Sequence, residues 1–388
     1  MRTSDGENRR PWRSGVEWSR SWRIGAGAAL VLALSALAGC ASTPNYVTGP
    51  QRALQIAQTY NLNNAKANFT LNTALQNKNE EGVSAQLDDA YYQMLRDEGK
   101  TSEGNGKPAH WHFTVYVFNQ AATPAYFVAE TAATKTSKGY GDLFLFKKDS
   151  PKGPWRVLYE EAVLAKNMPT FVSAGNGYVA SAPLPKILVA SPGAAISDLA
   201  NYWSNYANAS APLGLLQSGP DTSTLNAEMQ SVASGTASQH GSVLASFSEA
   251  NTPILAFPTT AGALVFGVID WSFVNTPPSG SRITQPSSRS NADALLAPGN
   301  YTSITYNEVT AVALLVPKAG HIAVLGADQG VVSASGSDSS TPTVAPQPTP
   351  GPAATPTPDR APAATTKPAP TPSCSSTVTS SGISVSCS

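Results

Sequence analysis

Apolar and polar positions alternate with two different periods along this chain, and the period changes twice. From residue 51 the side chains Ala53, Ile56, Ala57, Tyr60, Asn64, Ala67, Leu71, Ala74 and Leu75, all but Asn64 apolar, recur at helical spacing, which predicts an amphipathic helix. Glu80-Glu81-Gly82 interrupts it, and a second helical stripe runs through Val83, Leu87, Ala90, Tyr91 and Met94. Residues 99–107 are polar and glycine-containing, a loop. From Trp111 the pattern becomes aromatic and β-branched, and predicts strands at 111–118, 126–131, 142–147 and 155–163. The order then repeats. Helical stripes through Ile196, Leu199, Trp203 and Tyr206, and through Leu225, Met229 and Val232, precede strands at 242–249, 254–257, 263–273, 303–317 and 322–325, with a Pro/Ser-rich loop at 275–299.

Helices followed by a run of antiparallel strands predict an α+β fold, with the helices segregated on one face of each sheet. The boundaries are 51–168 for a first unit and 186–334 for a second. A faint echo joins them: Thr123-Pro124-Ala125-Tyr126-Phe127 parallels Thr252-Pro253-Ile254-Leu255-Ala256. Beyond residue 335 the chain is Pro, Ser, Thr and Ala with hardly a large apolar side chain, so 335–388 is expected to be a disordered tail or extended spacer.

The first 39 residues read differently. Six arginines precede a 15-residue apolar run, residues 24–38, that ends in Leu37-Ala38-Gly39-Cys40. A basic segment, a short apolar segment and small residues before a cut site make an export signal. The run falls short of the roughly 20 residues of a spanning helix. Arg9-Arg10 is a weak twin-arginine feature, with Pro11 behind it and the apolar run distant.

Leu37-Ala38-Gly39-Cys40 resembles the lipobox of bacterial lipoproteins. The resemblance implies cleavage after Gly39, diacylation of Cys40, a short tether over 40–50, and residence on the extracytoplasmic face of the cell membrane. Residues 1–39 hold six of the 25 basic and three of the 25 acidic side chains, so the remainder carries a net charge of −3. That balance gives no footprint for nucleic acid and no polybasic face for lipid, so attachment would fall to the acyl chains on Cys40. Of the other cysteines, Cys374 and Cys387 lie in the tail and can pair outside the cytoplasm.

Gly153-Pro154-Trp155-Arg156-Val157, a turn followed by a strand-opening Trp, fits the sheet of the cone-shaped fold of ketosteroid isomerases, limonene epoxide hydrolases and nuclear transport factor 2. With the lipobox, residues 50–335 resemble a family of uncharacterised actinobacterial lipoproteins with a two-part domain of unknown function. That resemblance brings no activity with it.

Candidate chemistry is sparse. His110 and His112, two apart on a predicted strand, would share a face and are weak metal candidates, but His240 and His321 are distant in sequence. Gly99-Lys100-Thr101 lacks the first glycine of a phosphate-binding loop and follows a helix, where that motif needs a strand. No nucleophile elbow and no zinc-protease motif occurs. Tyr116, Glu130, Asp142, Glu160 and Glu161 fall on the first predicted sheet. An acid–base role there needs burial, and strand edges or the outer face are the expected positions. Aromatics such as Phe127, Phe144, Phe146 and Tyr159 are expected to fill the core, with any surplus lining an apolar pocket. The sequence therefore predicts a non-enzymatic, lipid-anchored envelope protein with no cofactor, binding a protein partner or a small apolar ligand. The alternatives are an envelope hydrolase or isomerase working in a cone pocket, and a passive surface spacer or antigen.

Overall fold

The computed structural model describes residues 48–337 apart from 110, 119, 121–122, 133–138, 176–177, 181–182, 208–210, 239–240 and 286–290, together with 374–379 and 382–387. The fold is α+β. Three helices open it: α1 (Pro50–Thr70), α2 (Thr73–Asn79) and α3 (Gly82–Asp97). Pro50 at the first helical position has no N–H to leave unsatisfied. The single helix expected to run on to Leu75 ends instead at Leu71, which adopts a left-handed conformation (φ 47°) and turns its N–H back to Ala67 and Asn68. Asn72 then caps α2, its side chain accepting from the Leu75 N–H at 2.8 Å. Gly82, also left-handed (φ 60°), starts α3.

Four strands follow, β1 (Phe113–Val117), β2 (Ala125–Thr131), β3 (Tyr140–Lys148) and β4 (Arg156–Leu164), then the short β5 (Ser173–Gly175) and β6 (Tyr178–Val179). They form one sheet in the order β4-β3-β2-β1-β6-β5, antiparallel except where β6 runs parallel to β1. The second half begins with α4 (Pro192–Ser204), capped by Ser191, and α5 (Leu225–Ser238). Its strands are β7 (Ser242–Glu249), β8 (Leu255–Pro258), β9 (Gly262–Thr276), β10 (Ile283–Gln285), β11 (Gly299–Tyr301), β12 (Ser303–Pro317) and β13 (Ala323–Ser337). The second sheet runs β13-β12-β9-β7, with β8 also on β9. Strand β9 is long enough to pair β8 along its first half and β7 along its second, so the two halves share an element order but pair their strands differently. Part of the loop expected over 275–299 pairs as β10 and β11.

Side-chain alternation shows how the sheets stack. Val128, Leu143 and Leu145 of the first sheet meet Leu264, Phe266, Val309, Ala311 and Ala313 of the second in one buried apolar layer. Their alternates, Phe127, Phe144 and Phe146, face α1. Ala263, Val265, Ile269, Val312 and Leu314 face α4 and α5. The order is helix, sheet, sheet, helix. Because β9 is covered on both faces, residues 262–269 are buried without a break. Gly267 permits this closeness, since a Cβ there would lie 2.7 Å from Ile196 Cδ1. Helix α3 packs along β4 and β13, where Val83 and Leu87 join the inter-sheet layer.

Two further elements lie in the tail, where none was expected. β14 (Cys374–Thr379) and β15 (Gly382–Cys387) form an antiparallel ribbon with Cys374 directly opposite Cys387. The prolines stop at Pro372, and the β-branched residues that follow are free to pair.

Candidate functional site

A cluster of polar side chains, several of them buried, lies between α1, α2, α3 and β4. Tyr60, 3% exposed, projects from α1 toward the sheet. Its hydroxyl lies 2.7 Å from Glu80 Oε1 and 2.7 Å from Glu160 Oε2, and the Asn64 amide donates to the same oxygen at 3.3 Å. Gln76, fully buried, donates from Nε2 to Glu80 at 2.5 Å and to Asp88 at 2.6 Å. Asn68 donates to Asn64 at 2.7 Å and accepts from the Tyr92 hydroxyl at 2.7 Å. Three carboxyls, two phenols and three amides thus form one connected network.

A phenol has a single proton to donate. Two carboxylate oxygens at 2.7 Å from Tyr60 Oη cannot both receive it, and two ionised groups there would set lone pair against lone pair. One of Glu80 and Glu160 therefore holds a proton and donates it to Oη. The electrostatics agree. Burial, then neighbouring Asp88, pushes Glu80 well above the usual carboxylate range, and burial with Asp142 does the same to Glu160. Burial likewise raises Tyr60, so its phenol stays protonated.

A β-bulge decides where the glutamates of β4 point. Leu145 pairs with Tyr159 but Phe146 pairs with Val157, which leaves Leu158 as the extra residue. Past the bulge, Glu160 lies opposite Phe144 and faces the helices, while Glu161 lies opposite Leu143 and faces the second sheet. Glu161 is fully buried, and the backbone amide of Asp328 is the polar group that faces its carboxylate. Burial, then Asp328, raises its pKa. Gly326 lies against it, where a Cβ would come within 3.1 Å of Glu161 Cβ and 2.9 Å of the Ala162 carbonyl oxygen.

The expectation that these acids occupy strand edges or the outer face is therefore corrected. Asp142 accepts from Thr131 Oγ1 at 3.1 Å and is pushed up to about 6 by burial. Glu130 accepts from the Tyr116 hydroxyl at 2.8 Å, and burial raises it too. A sheet sandwiched between helices and a second sheet has no outer face over most of its width. In the second half Glu308, 6% exposed, is pushed by burial to about 8.

The two histidines among the described residues, His112 and His321, do not assemble a site. The strand begins at Phe113 rather than Trp111, so His112 sits exposed before it, and His110 lies outside the described residues. Among the described residues no three His, Cys, Asp or Glu side chains are placed to hold a metal ion. Leu37, Ala38, Gly39 and Cys40 lie outside the described residues. No helix among the described residues is long and apolar enough to cross a membrane.

Beside the acidic network a cleft of about 400 Å³ opens between α1 and the β3–β4 hairpin. Tyr60, Phe146, Trp155 and Ile56 supply its apolar surface; Arg52, Lys148, Thr48, Thr59 and Asn79 supply its polar groups. Tyr60 belongs to both features: it lines the cleft, and its hydroxyl lies on Glu80 and Glu160. A double clamp fixes the hairpin: Glu81 pairs with Lys147 at 3.1 Å and with Arg156 at 3.3 Å, and its N–H donates to the Val157 carbonyl.

A family model described as a domain of unknown function (DUF8094) matches residues 44–336, which takes in both sheets, the network and the cleft. The chain belongs to that family. Among curated proteins and among solved structures nothing matches it. The family description carries no activity, so the residues have to speak for the site.

The network was missed in the sequence because its members disguise themselves. Tyr60 sits on the apolar stripe of α1, and Glu80-Glu81-Gly82 reads as a mere helix break. Two adjacent acids at the junction of two apolar-faced helices were the available signal.

Proposed function

We propose that this chain is a lipid-anchored extracytoplasmic protein that binds a small amphiphile in the cleft between α1 and the β3–β4 hairpin. The observation that carries the reading is the lining of that cleft, an aromatic and aliphatic floor with cations and hydroxyls around it and no carboxyl group. A few polar groups around an apolar floor is the usual make-up of a small-molecule site. Support for the anchor is Leu37-Ala38-Gly39-Cys40, ten residues before α1 begins. Each half sets helices against one face of its sheet, the feature on which the likeness to cone-shaped folds rests; the likeness to actinobacterial lipoproteins draws on the lipobox as well.

Two experiments test it. Cys40→Ala should move the protein from the membrane to the soluble extracytoplasmic fraction; unchanged fractionation and mass would remove the anchor. Native mass spectrometry of the lipidated chain should show a bound amphiphile that Ile56→Trp, which fills the cleft, displaces. An adduct that persists in that variant, or none in either protein, sinks the binding site.

A second reading, an enzyme, draws on one observation: Tyr60 lines the cleft and is backed by a proton-holding carboxyl pair. A phenol so backed is a candidate general acid. Tyr60→Phe separates the readings, since a binding protein keeps its ligand and an enzyme loses turnover.

A further inference from the structure

We infer that the cleft receives an anionic phospholipid headgroup from the same membrane that holds Cys40. This rests on the binding reading above and names its ligand class. Arg52 and Lys148 both line the cleft, and among the described residues neither is paired with a carboxylate. The neighbouring cations differ: Lys147 is taken by Glu81 and Asp149, and Arg156 by Glu81. Arg52 donates to Gln55 Oε1 at 3.2 Å, and two cations without a carboxylate partner over an aromatic floor, with no acid in the lining, fit a phosphate carried on an apolar body. Thr48 adds a third polar contact. It lines the cleft, is 8% exposed, and its hydroxyl has no partner among the described residues.

The position of Thr48 in the chain selects the source of the phosphate. It lies eight residues after Cys40. A fully extended chain spans at most about 3.6 Å per residue, so the cleft is held within roughly 29 Å of the acyl attachment. Trp155 half-exposed in the cleft suits that depth, because an indole places its ring at the headgroup level. Two cations are too few to recruit a protein whose net charge after Gly39 is −3. Tethering removes that requirement, since headgroups next to an anchored cleft are present at high effective concentration. The anchor supplies attachment, and the cleft sets which face of the molecule meets the bilayer.

The test uses the lipidated full-length chain reconstituted into vesicles of phosphatidylcholine, with or without phosphatidylglycerol, each doped with a headgroup-spin-labelled lipid. Subtracting the signal of Trp155→Phe isolates the quenching of Trp155. Quenching is expected to rise several-fold when phosphatidylglycerol is present, to fall with added salt, and to return to the phosphatidylcholine level in Arg52→Gln/Lys148→Gln. Arg52→Gln alone, at an exposed helix position, should give a partial loss and serves if the double variant melts early. Equal quenching in both vesicles, or quenching that survives the double variant, overturns the proposal. So does saturable binding of soluble glycerol phosphate to Cys40→Ala without any phosphatidylglycerol effect, which would assign the cations to a free organophosphate. Fractionation of Cys40→Ala is scored separately, so loss of the headgroup site and loss of the anchor give different results.

Discussion

Tyr60 and Glu160 lie one hundred positions apart and share a 2.7 Å hydrogen bond across the boundary between α1 and the first sheet. Glu80 approaches the same phenol from the end of α2 at 2.7 Å. That contact joins the helical layer to β4 through polar groups that are costly to leave unpaired.

Removing the phenol oxygen should therefore cost more than a surface substitution. Tyr60→Phe takes the phenol from Glu160 and from Glu80, which keeps its Gln76 contact, and a destabilisation of about 1–3 kcal/mol is expected from under-satisfied buried groups. Equilibrium denaturation measures it. A change within a few tenths of a kcal/mol would mean that water replaces the phenol.

The acids give stability a definite pH sense. Glu80, Glu160, Glu161 and Glu308 all have folded-state pKa values above the ordinary range. The unfolded chain releases these protons first, so between the two pKa values the folded state holds more protons and stability falls as pH rises. For Glu308 the window runs from 4.5 to about 8. The melting temperature should be highest near the acid end of that window, and each such group contributes a slope approaching about 1.4 kcal/mol per pH unit. Glu308→Gln should flatten the profile. A melting temperature that rises steadily over the same range contradicts the assignment.

Gly267 and Ile196 offer a packing test. Gly267→Ala brings a Cβ to 2.7 Å from Ile196 Cδ1 and should cost about 1–3 kcal/mol by overpacking. Ile196→Val deletes that Cδ1 and alone costs about 0.5–1.5 kcal/mol. The double variant should lose less than the sum of the two, a coupling that a double-mutant cycle reads directly.

Cys374 faces Cys387 in register. Directly opposed residues of an antiparallel pair have Cα atoms about 4.5–5.5 Å apart, within the disulfide range. Protein recovered from the cell exterior should show no alkylation at these two positions before reduction and full alkylation after it. Two free thiols in that material would refute the pairing.

Sequence periodicity placed both helical layers and most strands. The strands at 242–249 and 303–317 match their sequence-read limits, because β-branched and apolar residues there alternate or run together over a full strand. Strand β13 runs on to Ser337 where the sequence indicated an end at 325. Its second half is mostly Gly, Ala and Ser around Val331 and Val332, too little apolar pattern to read as a strand, and it is one because β12 offers it backbone partners along its whole length. β5 and β6 are too short for any period to register.

The chain by itself determined most helices and the long strands, the class and the candidate lipid anchor, since each is written in a short window of side-chain chemistry. Only the tertiary structure decided where the acids go. Glu160 and Glu161 are neighbours in sequence, yet one bulged residue, Leu158, sends the first to Tyr60 among the helices and the second between two sheets. Strand alternation has a period of two, so a single inserted residue reverses every face beyond it, and pairing between strands sets whether one is inserted.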